Sequence, residues 1–382
     1  MRYFIIAGEA SGDLHGSNLI KGIREMDKEA QIRCWGGDLM KEAGAELIRH
    51  YKEGAIMGFV EVVANLGKLA KNLQDCKNDI VKYNPDAVIL IDYPGFNFRI
   101  AKFAKERGMR VFYYIAPKVW AWKEKRVHKL KKYVDRLFII FPFEIEYFKK
   151  WGIDAIYRGN PLLDSVDNHS SSEESKEAFE QRCGIGSAEK TVALLAGSRR
   201  SEIKYLLPRM MQVAGRYPEY RFLMACAPSM EREFYEGIIG NKCSNIKLLF
   251  GETYSILRHS DAAIISSGTA SLEAALIGVP QVVCYGGNEI SYQIARSVVK
   301  LKYISLANLI MDKGLFKELI QHDCTPQKIS AELDNLLGNS AYREKMLADY
   351  RDVRNILGGK GASAKVASAM IEELEKMMNK NQ

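Results

Sequence analysis

The sequence predicts an α/β protein made of two doubly wound, Rossmann-like halves, and three observations carry that expectation. Short apolar runs rich in β-branched residues alternate with stretches of helical periodicity, the rhythm of buried parallel strands joined by crossover helices. The rhythm breaks once, in a polar, Ser-rich stretch near residues 168–175, and then restarts. The chain has 382 residues, more than one ordinary core holds and enough for two domains of about 150 to 200 residues each.

The elements follow in order. Tyr3–Ala7 reads as the first strand and ends in Gly8-Glu9, with a helix expected over Leu14–Met26. A helical pattern over Leu66–Tyr83 leads into the strand Ala87–Ile91. A helix over Phe98–Arg107 stops at Gly108, a C-terminal glycine signal, before strands at Val111–Ile115 and Leu137–Phe141. Asn168–Ser175 is a candidate linker, with a short helix expected near Lys176–Cys183. The second half opens with a strand over Thr191–Ala196 and a helix over Ile203–Val213. Strands are expected at Arg221–Ala225, Ile246–Phe250, Ala262–Ile265 and Gln281–Tyr285. The helix Thr269–Ile277 stops at Gly278, with Pro280 beyond it. Pro326 to Lys380 is helical and charged, bent at Gly358-Gly359-Lys360-Gly361. The expected domains are therefore 1–166 and 167–345, facing one another across a cleft, with 346–382 as helices that pack back on the first.

Composition narrows the class. Hydrophobic residues make up 47% and charged residues 27%, which excludes disordered and coiled-coil chains. The formal charge of +8 suggests an anionic partner, whether nucleic acid, phosphorylated substrate or membrane surface. No run approaches the roughly 18 to 20 apolar residues of a spanning helix, and the first apolar run is too short for a signal peptide. The cysteines are odd in number and none is in CxxC spacing, so reduced thiols of a cytoplasmic protein are expected.

Several strand-to-helix junctions carry candidate chemistry. In Gly8-Glu9-Ala10-Ser11-Gly12-Asp13-Leu14-His15-Gly16, glycines allow a tight turn and close approach. Glu9, Asp13 and His15 stand at the carboxyl end of a parallel strand, where α/β domains build ligand sites. The alternative is a plain turn with Ser11 or Asp13 as helix cap. Asp92 ends the apolar run at Ile91, where low-dielectric walls tune a carboxylate as a general base. Its alternative is a helix cap or an ion pair. Lys118 to Arg136 holds eight Lys/Arg against two acidic residues and includes Trp120 and Trp122. That stretch is either a solvated helix face or an interfacial patch. It shows no pattern of a nucleic-acid-binding motif. Gly197-Ser198-Arg199-Arg200 joins helix-start N–H groups to arginines, which suits a diphosphate, although the GK[ST] of a P-loop is missing. Ser266-Ser267-Gly268-Thr269 can cradle a phosphate in the same way, with Glu273 free to accept from ribose hydroxyls or to favour the helix dipole.

In order along the chain, GEASGD (8–13), MGFVEV (57–62), IDYPGFN (91–97), VWAWKEKRV (119–127), FPFE (141–144), GNPLLD (159–164), LLAGSRRSEI (194–203), SSGTASLEA (266–274) and SLANLI (305–310) span almost the whole sequence. Together they resemble the lipid-A-disaccharide synthase family of GT-B-fold inverting glycosyltransferases. The resemblance implies transfer of 2,3-diacylglucosamine from UDP-2,3-diacylglucosamine to 2,3-diacylglucosamine 1-phosphate (lipid X), with UDP released. It implies no cofactor and no metal, an anionic inner-membrane surface on the cytoplasmic side as partner, and no nucleic acid. A homodimer, with exchange of the C-terminal helices, stays open. His15 stands where other members carry an apolar residue, so no role passes to it.

The resemblance also implies roles. Asp92 is the expected base, with Glu9 as runner-up or positioning group. Ser11, Gly12, Asp13, Ser198, Arg199, Ser267, Gly268, Thr269, Glu273 and Asn308 are expected at the substrates. Met57, Phe59 and Val60 are expected to enter acyl chains, with Trp120, Trp122, Lys123, Lys125 and Arg126 at the anionic surface. The competing readings are another GT-B-fold UDP-sugar enzyme, such as a UDP-GlcNAc 2-epimerase, and a non-catalytic nucleic-acid or membrane binder.

Overall fold

The computed structural model describes residues 1–54, 66–186, 190–240, 243–287, 292 and 301–379. It divides into two compact units: residues 1–164 with 357–382, and residues 165–356.

The first unit is a parallel sheet of β1 (Arg2–Ala7), β2 (Gln31–Gly36), β3 (Glu46–His50), β4 (Ala87–Ile91), β5 (Arg110–Tyr114), β6 (Arg136–Ile139) and β7 (Ala155–Tyr157), in the order β3-β2-β1-β4-β5-β6-β7. The central strands are buried on both faces, as in Ala87–Ile91, where every side chain is enclosed. Such enclosure stabilises by about 1.5–3 kcal/mol for each large aliphatic side chain. Strands β2, β3 and β7 were not expected from the sequence. They lie at or near the sheet margins; β2 and β3 mix charged with apolar residues, and β7 is only three residues long, so no apolar run of strand length marks them.

The first helix runs over Ala10–Met26, four residues earlier than expected. Ser11 and Gly12 therefore belong to its first turn rather than to a glycine loop. The glycines serve close packing: a Cβ on Gly12 would lie 3.1 Å from the Ala7 Cβ, and one on Gly16 2.7 Å from the Met40 sulfur. The helix Leu66–Tyr83 has the expected bounds, and Pro94–Glu106 begins at its proline.

The second unit repeats the architecture with β8 (Thr191–Leu195), β9 (Arg221–Cys226), β10 (Ile246–Phe250), β11 (Ala262–Ser266), β12 (Gln281–Tyr285) and β13 (Glu318–Ile320), ordered β10-β9-β8-β11-β12-β13 and parallel throughout. The expected linker is folded into this unit. Ser170–Ser172 forms a single 3₁₀ turn, and Arg258 donates to the Val166 carbonyl at 3.0 Å and to the Ser171 hydroxyl at 3.4 Å.

The C-terminal helices are Pro326–Gly338, Ser340–Leu357 and Ala362–Asn379. The expected return to the first unit at residue 346 comes later, after Ile356. The helix Ser340–Leu357 is held to the second sheet: the Tyr350 hydroxyl accepts from the Gln281 amide at 3.2 Å, and Asp349 pairs with Lys313 at 2.6 Å. The glycine bend then releases Ala362–Asn379, which packs along Ala10–Met26, where Gly22 admits Ala367. Asp164 caps this last helix by accepting from the N–H groups of Gly361 (2.6 Å) and Ser363 (2.9 Å).

Candidate functional site

Strand order places the titratable groups of the first unit. Strands β1, β4, β5 and β6 are consecutive neighbours, with Ala7 paired to Ile91, Ile91 to Tyr114 and Tyr114 to Phe138. Their carboxyl ends lead into Glu9, Asp92, Lys118 and Glu144 respectively. Strand order reverses at the β1/β4 pair, because β2 and β3 extend from one side and β5 to β7 from the other. Such a switch point opens a crevice at the strand ends, and Glu9 and Asp92 sit on its two sides.

The backbone at Asp92 is specially held. Asp92 and Tyr93 have φ of 41° and 46°, a left-handed pair of non-glycine residues, each costing of order 1–3 kcal/mol. The buried amide of Asn97 donates to the carbonyls of Ile91 (3.1 Å) and Asp92 (2.8 Å), and the Tyr113 hydroxyl donates to the same Asp92 carbonyl at 2.6 Å. This geometry turns the chain off the strand. It also lays the Tyr93 ring against Gly8, where a Cβ would collide with it.

The electrostatics are uneven. Burial, reinforced by the charge of Glu9, pushes the Asp92 carboxyl up to about 6, while Lys118 and the Tyr93 N–H pull the other way. Burial pushes Glu144 up to about 7 against a bond from the Trp120 indole, N–H groups of Phe141 and Ile140, and the Lys118 charge. Glu144 is 1% exposed and accepts from the Trp120 Nε1 at 2.9 Å and from the Phe141 N–H at 3.1 Å. Lys118 is the cation of the group, its own pKa lowered by desolvation and supported by Asp92, Glu144 and Glu9. Its side chain stays exposed, so solvent mutes that shift. A carboxyl poised near 6 beside an accessible cation is equipped for proton abstraction from a hydroxyl. Neither Lys118 nor Glu144 was singled out from the sequence. Each lies several residues past its strand, where nothing local distinguishes it from an ordinary surface Lys or a helix-start Glu.

In the second unit the order reverses at β8/β11, paired through Leu195 and Ile265. Two helices, Arg200–Ala214 and Thr269–Ile277, begin beside one another past these strands. Gly197, at φ 107°, makes the first turn. The Glu202 carboxylate gathers the N–H groups of Ser198 (3.2 Å) and Arg199 (3.3 Å) and the Arg199 guanidinium (2.6 Å). Arg199 remains 78% exposed, and the Glu202 contact is a surface pair that an anion can replace. The helix Thr269–Ile277 starts after Gly268 with no side-chain cap, so its leading N–H groups and dipole face outward. The Ser267 N–H bonds to the Cys284 carbonyl at 2.9 Å, and Ser271 closes on Gly268. Glu273 accepts from the Tyr254 hydroxyl at 2.6 Å, and burial raises its pKa. Tyr254 was also missed: its link to Glu273 crosses from one βα unit to the next.

Other expected site residues have different occupations. Asp13 is buried and accepts from the N–H groups of Gly37 (2.8 Å), Leu39 (3.1 Å) and Met40 (3.1 Å). It caps the short helix Asp38–Glu42 and has little left for a substrate. Ser11 donates to Glu9 at 2.7 Å, and both are exposed. Gly12 packs on β1. Asn308 is fully buried. Its amide donates to the Phe316 carbonyl (3.2 Å) and Glu318 (2.8 Å), and its oxygen accepts from the Leu315 N–H (2.9 Å). These bonds shape the 313–318 turn. Trp120 is half-buried, donates its indole N–H to Glu144 and meets Phe143 edge-on. Trp122 is 50% exposed and carries Lys123 at 4.1 Å and Arg126 at 5.8 Å from its ring centroid, with Lys125 exposed nearby. Met57, Phe59 and Val60 lie outside the described residues. His15 is half-buried, its enclosed Nδ1 has no hydrogen-bond partner among the described residues, and desolvation lowers its pKa to about 4.

Among the described residues no cluster of three or more His, Cys, Asp or Glu could hold a metal ion, and no helix is long and apolar enough to cross a membrane.

Comparison with known proteins agrees with this arrangement. A family model described as lipid-A-disaccharide synthetase matches residues 3–370. The lipid-A-disaccharide synthase of Geobacter metallireducens is 36% identical over 379 residues, covering 98% of both chains. That of Nitrosococcus oceani is 35% identical, covering 97% of this chain and 96% of its own. Among solved structures, UDP-GlcNAc 2-epimerase from Neisseria meningitidis bound to UDP-GlcNAc aligns with a TM-score of 0.65 at 15% identity, covering 98% of this chain and all of its own. A glycosyltransferase from Rickettsia africae aligns with a TM-score of 0.60 at 13% identity, covering 98% of each. At such identities the structural likeness speaks for the fold alone.

Proposed function

The chain belongs to the lipid-A-disaccharide synthetase family of glycosyltransferases, and from that premise we propose its substrates, stereochemistry and the residues that act. The donor is UDP-2,3-diacylglucosamine and the acceptor is 2,3-diacylglucosamine 1-phosphate. The products are the β-1′,6-linked disaccharide 1-phosphate and UDP. The donor sugar is α-linked to UDP, so one direct displacement inverts the anomeric centre and needs no covalent glycosyl-enzyme.

The observation that carries the mechanism is Asp92. Its carboxyl stands at the β1/β4 switch point with a pKa raised to about 6 by burial and Glu9. At neutral pH it is ionised and more basic than an ordinary carboxylate, as removal of the acceptor's primary hydroxyl proton requires. The proton passes to the Asp92 carboxylate as the hydroxyl oxygen attacks the anomeric carbon and the bond to the UDP oxygen breaks. Lys118 steadies the ionised form of Asp92 beforehand. Charge building on departing UDP goes to Arg199 and to the helix start at Gly268-Thr269, with Ser198 and Ser267 lining the turns. Glu273, held by Tyr254, accepts from ribose.

Substrate acylation requires contact with a lipid surface. We assign that contact to the Trp122, Lys123, Lys125 and Arg126 face, and to Met57, Phe59 and Val60 on the chemistry of their side chains. The test is turnover of UDP-2,3-diacylglucosamine with and without lipid X. Release of UDP that depends on lipid X supports a transferase, whereas release without acceptor would favour an epimerase-like elimination. Arg199→Ala should weaken UDP binding by roughly tenfold or more, and an unchanged Kd would remove Arg199 from the diphosphate site.

A further inference from the structure

A basic cavity lies at the opposite end of the first sheet from Asp92. It has a volume of about 510 Å³ and is lined at the amino ends of β1 to β3 by Arg2, Arg33 and Glu46. The last turns of two helices add Arg24, Lys82 and Tyr83. Among its described lining residues, four cations face one carboxylate. Arg33 and Glu46 pair at 2.6 Å, which leaves Arg2, Arg24 and Lys82 uncompensated by any carboxylate in the wall. Asp86 lies close by but accepts the Arg2 backbone N–H, and Asp27 binds the N-terminal ammonium.

The ordinary explanation for Arg24 and Lys82 is helix-dipole compensation. Each helix C-terminus supplies roughly half a negative charge, so two termini offset about one of the three cations. An excess of about two positive charges remains. The guanidiniums are also built in place. Arg2 and Arg33 lie 4.5 Å and 4.6 Å from the centroid of the Tyr83 ring, and Arg24 donates to the Gly44 carbonyl at 2.5 Å. The Nε atoms of Arg2 and Arg24 are buried without a hydrogen-bond partner among the described residues. Buried donors left unsatisfied are costly, and an anion with several acceptor oxygens would satisfy both. Another cavity, beside β6 and β7, differs in this respect. There Asp135, Asp154 and Glu373 balance Lys131, Arg136 and Arg158.

We propose that the Arg2–Arg24–Arg33–Lys82 cavity is a second, non-catalytic anion site that takes a phosphate-bearing ligand. Guanidinium forks match phosphate oxygens, a phosphate dianion matches the residual charge, and the volume is that of a small-ligand pocket. The phosphate comes either from a soluble molecule or from a lipid headgroup. The site stands on its own residues, independently of the transferase reading.

The test is calorimetric titration of the full chain with inorganic pyrophosphate, with UDP present in excess so that diphosphate capture near Arg199 is already filled. In parallel, the protein is sedimented with phosphatidylglycerol and with phosphatidylcholine vesicles. Lys82→Gln should weaken the phosphate interaction roughly three- to tenfold, and Arg2→Gln with Lys82→Gln should abolish it. Glu46→Gln, which removes the one carboxylate, should tighten it two- to fivefold by the same rule of thumb. Lys345→Gln makes the same charge change in the other unit and should leave binding within about twofold. Lys82, Glu46 and Lys345 are exposed, so these single variants fold whether or not the double variant does. A response to pyrophosphate assigns a soluble phosphate. No pyrophosphate response, with phosphatidylglycerol sedimentation that falls in Lys82→Gln, assigns a headgroup to the cavity rather than to the Trp122 face. The proposal is overturned if pyrophosphate does not bind and phosphatidylglycerol sedimentation is the same in wild type, Lys82→Gln and Glu46→Gln, or if pyrophosphate binding is the same in all three.

Discussion

Replacing Asp92 by Asn should make the protein slower and more stable at once. The shape of the side chain is kept, and the hydrogen bonds that hold this turn run through the Asp92 carbonyl, which the substitution leaves alone. Asn also tolerates the left-handed φ of 41° at this position. The charge is what changes. In the folded state the carboxyl titrates near 6, against 3.8 for an unperturbed Asp. The folded protein therefore favours the protonated form, and that favourable contribution is complete below about pH 4 and lost as pH rises through about 6. At pH 8 the wild type carries a buried charge costing roughly 3 kcal/mol, at about 1.4 kcal/mol per pKa unit. Asp92→Asn should recover up to that amount at pH 8 and almost none of it at pH 4. The same substitution should lower kcat by about two to four powers of ten, and wild-type turnover should rise with pH through about 6. Urea denaturation at the two pH values, with turnover across the range, reads all of this. A variant no more stable than wild type at pH 8 would refute the burial argument, and near wild-type turnover would refute the base assignment.

Four further substitutions have outcomes set by the side-chain geometry. Trp122→Ala should lower sedimentation with phosphatidylglycerol vesicles several-fold. Trp120→Phe should leave it unchanged while costing about 2 kcal/mol in urea denaturation through the lost bond to Glu144. Asn308→Ala should destabilise by roughly 2–4 kcal/mol, since three buried hydrogen bonds go with it. UDP affinity of the folded Asn308→Ala protein should stay within twofold, and a large loss of affinity at unchanged Tm would instead make Asn308 a ligand. Asp13→Ala should lower stability by about 2 kcal/mol by uncapping Asp38–Glu42, read by thermal melting.

Much of the fold was legible because strands buried on both faces leave unmistakable runs. Ala87–Ile91, Gln281–Tyr285 and the helix Thr269–Ile277 came out at their observed bounds, as did the half-buried edge strand Ile246–Phe250. Marginal strands such as Glu46–His50 and Glu318–Ile320 did not, because polar residues interrupt their apolar pattern. The place of Asp92 at a strand end was legible, because a buried apolar run marks where its strand stops. The site was not legible where a distant partner decides the role. Asp13, Trp120 and Asn308 are polar-bearing residues in promising motifs, and each is engaged by groups on another turn or element. Residue type alone cannot separate a side chain that awaits a ligand from one already satisfied by the chain.

The sequence by itself determined the alternation of strands and helices, the two α/β halves and the residues that end each strand, because these depend on local periodicity. Only the tertiary structure decided which strand ends become neighbours. Parallel pairing is non-local, so the order β2-β1-β4-β5-β6 cannot be read from one segment at a time. That order brings Glu9, Asp92, Lys118 and Glu144 to adjacent strand ends, although 135 positions of chain separate the first from the last. It also carries Arg2, Arg24, Arg33 and Lys82 to the opposite end of the same sheet. Charge at either place acts through space and not along the chain, and so its chemistry appears only when the sheet is assembled.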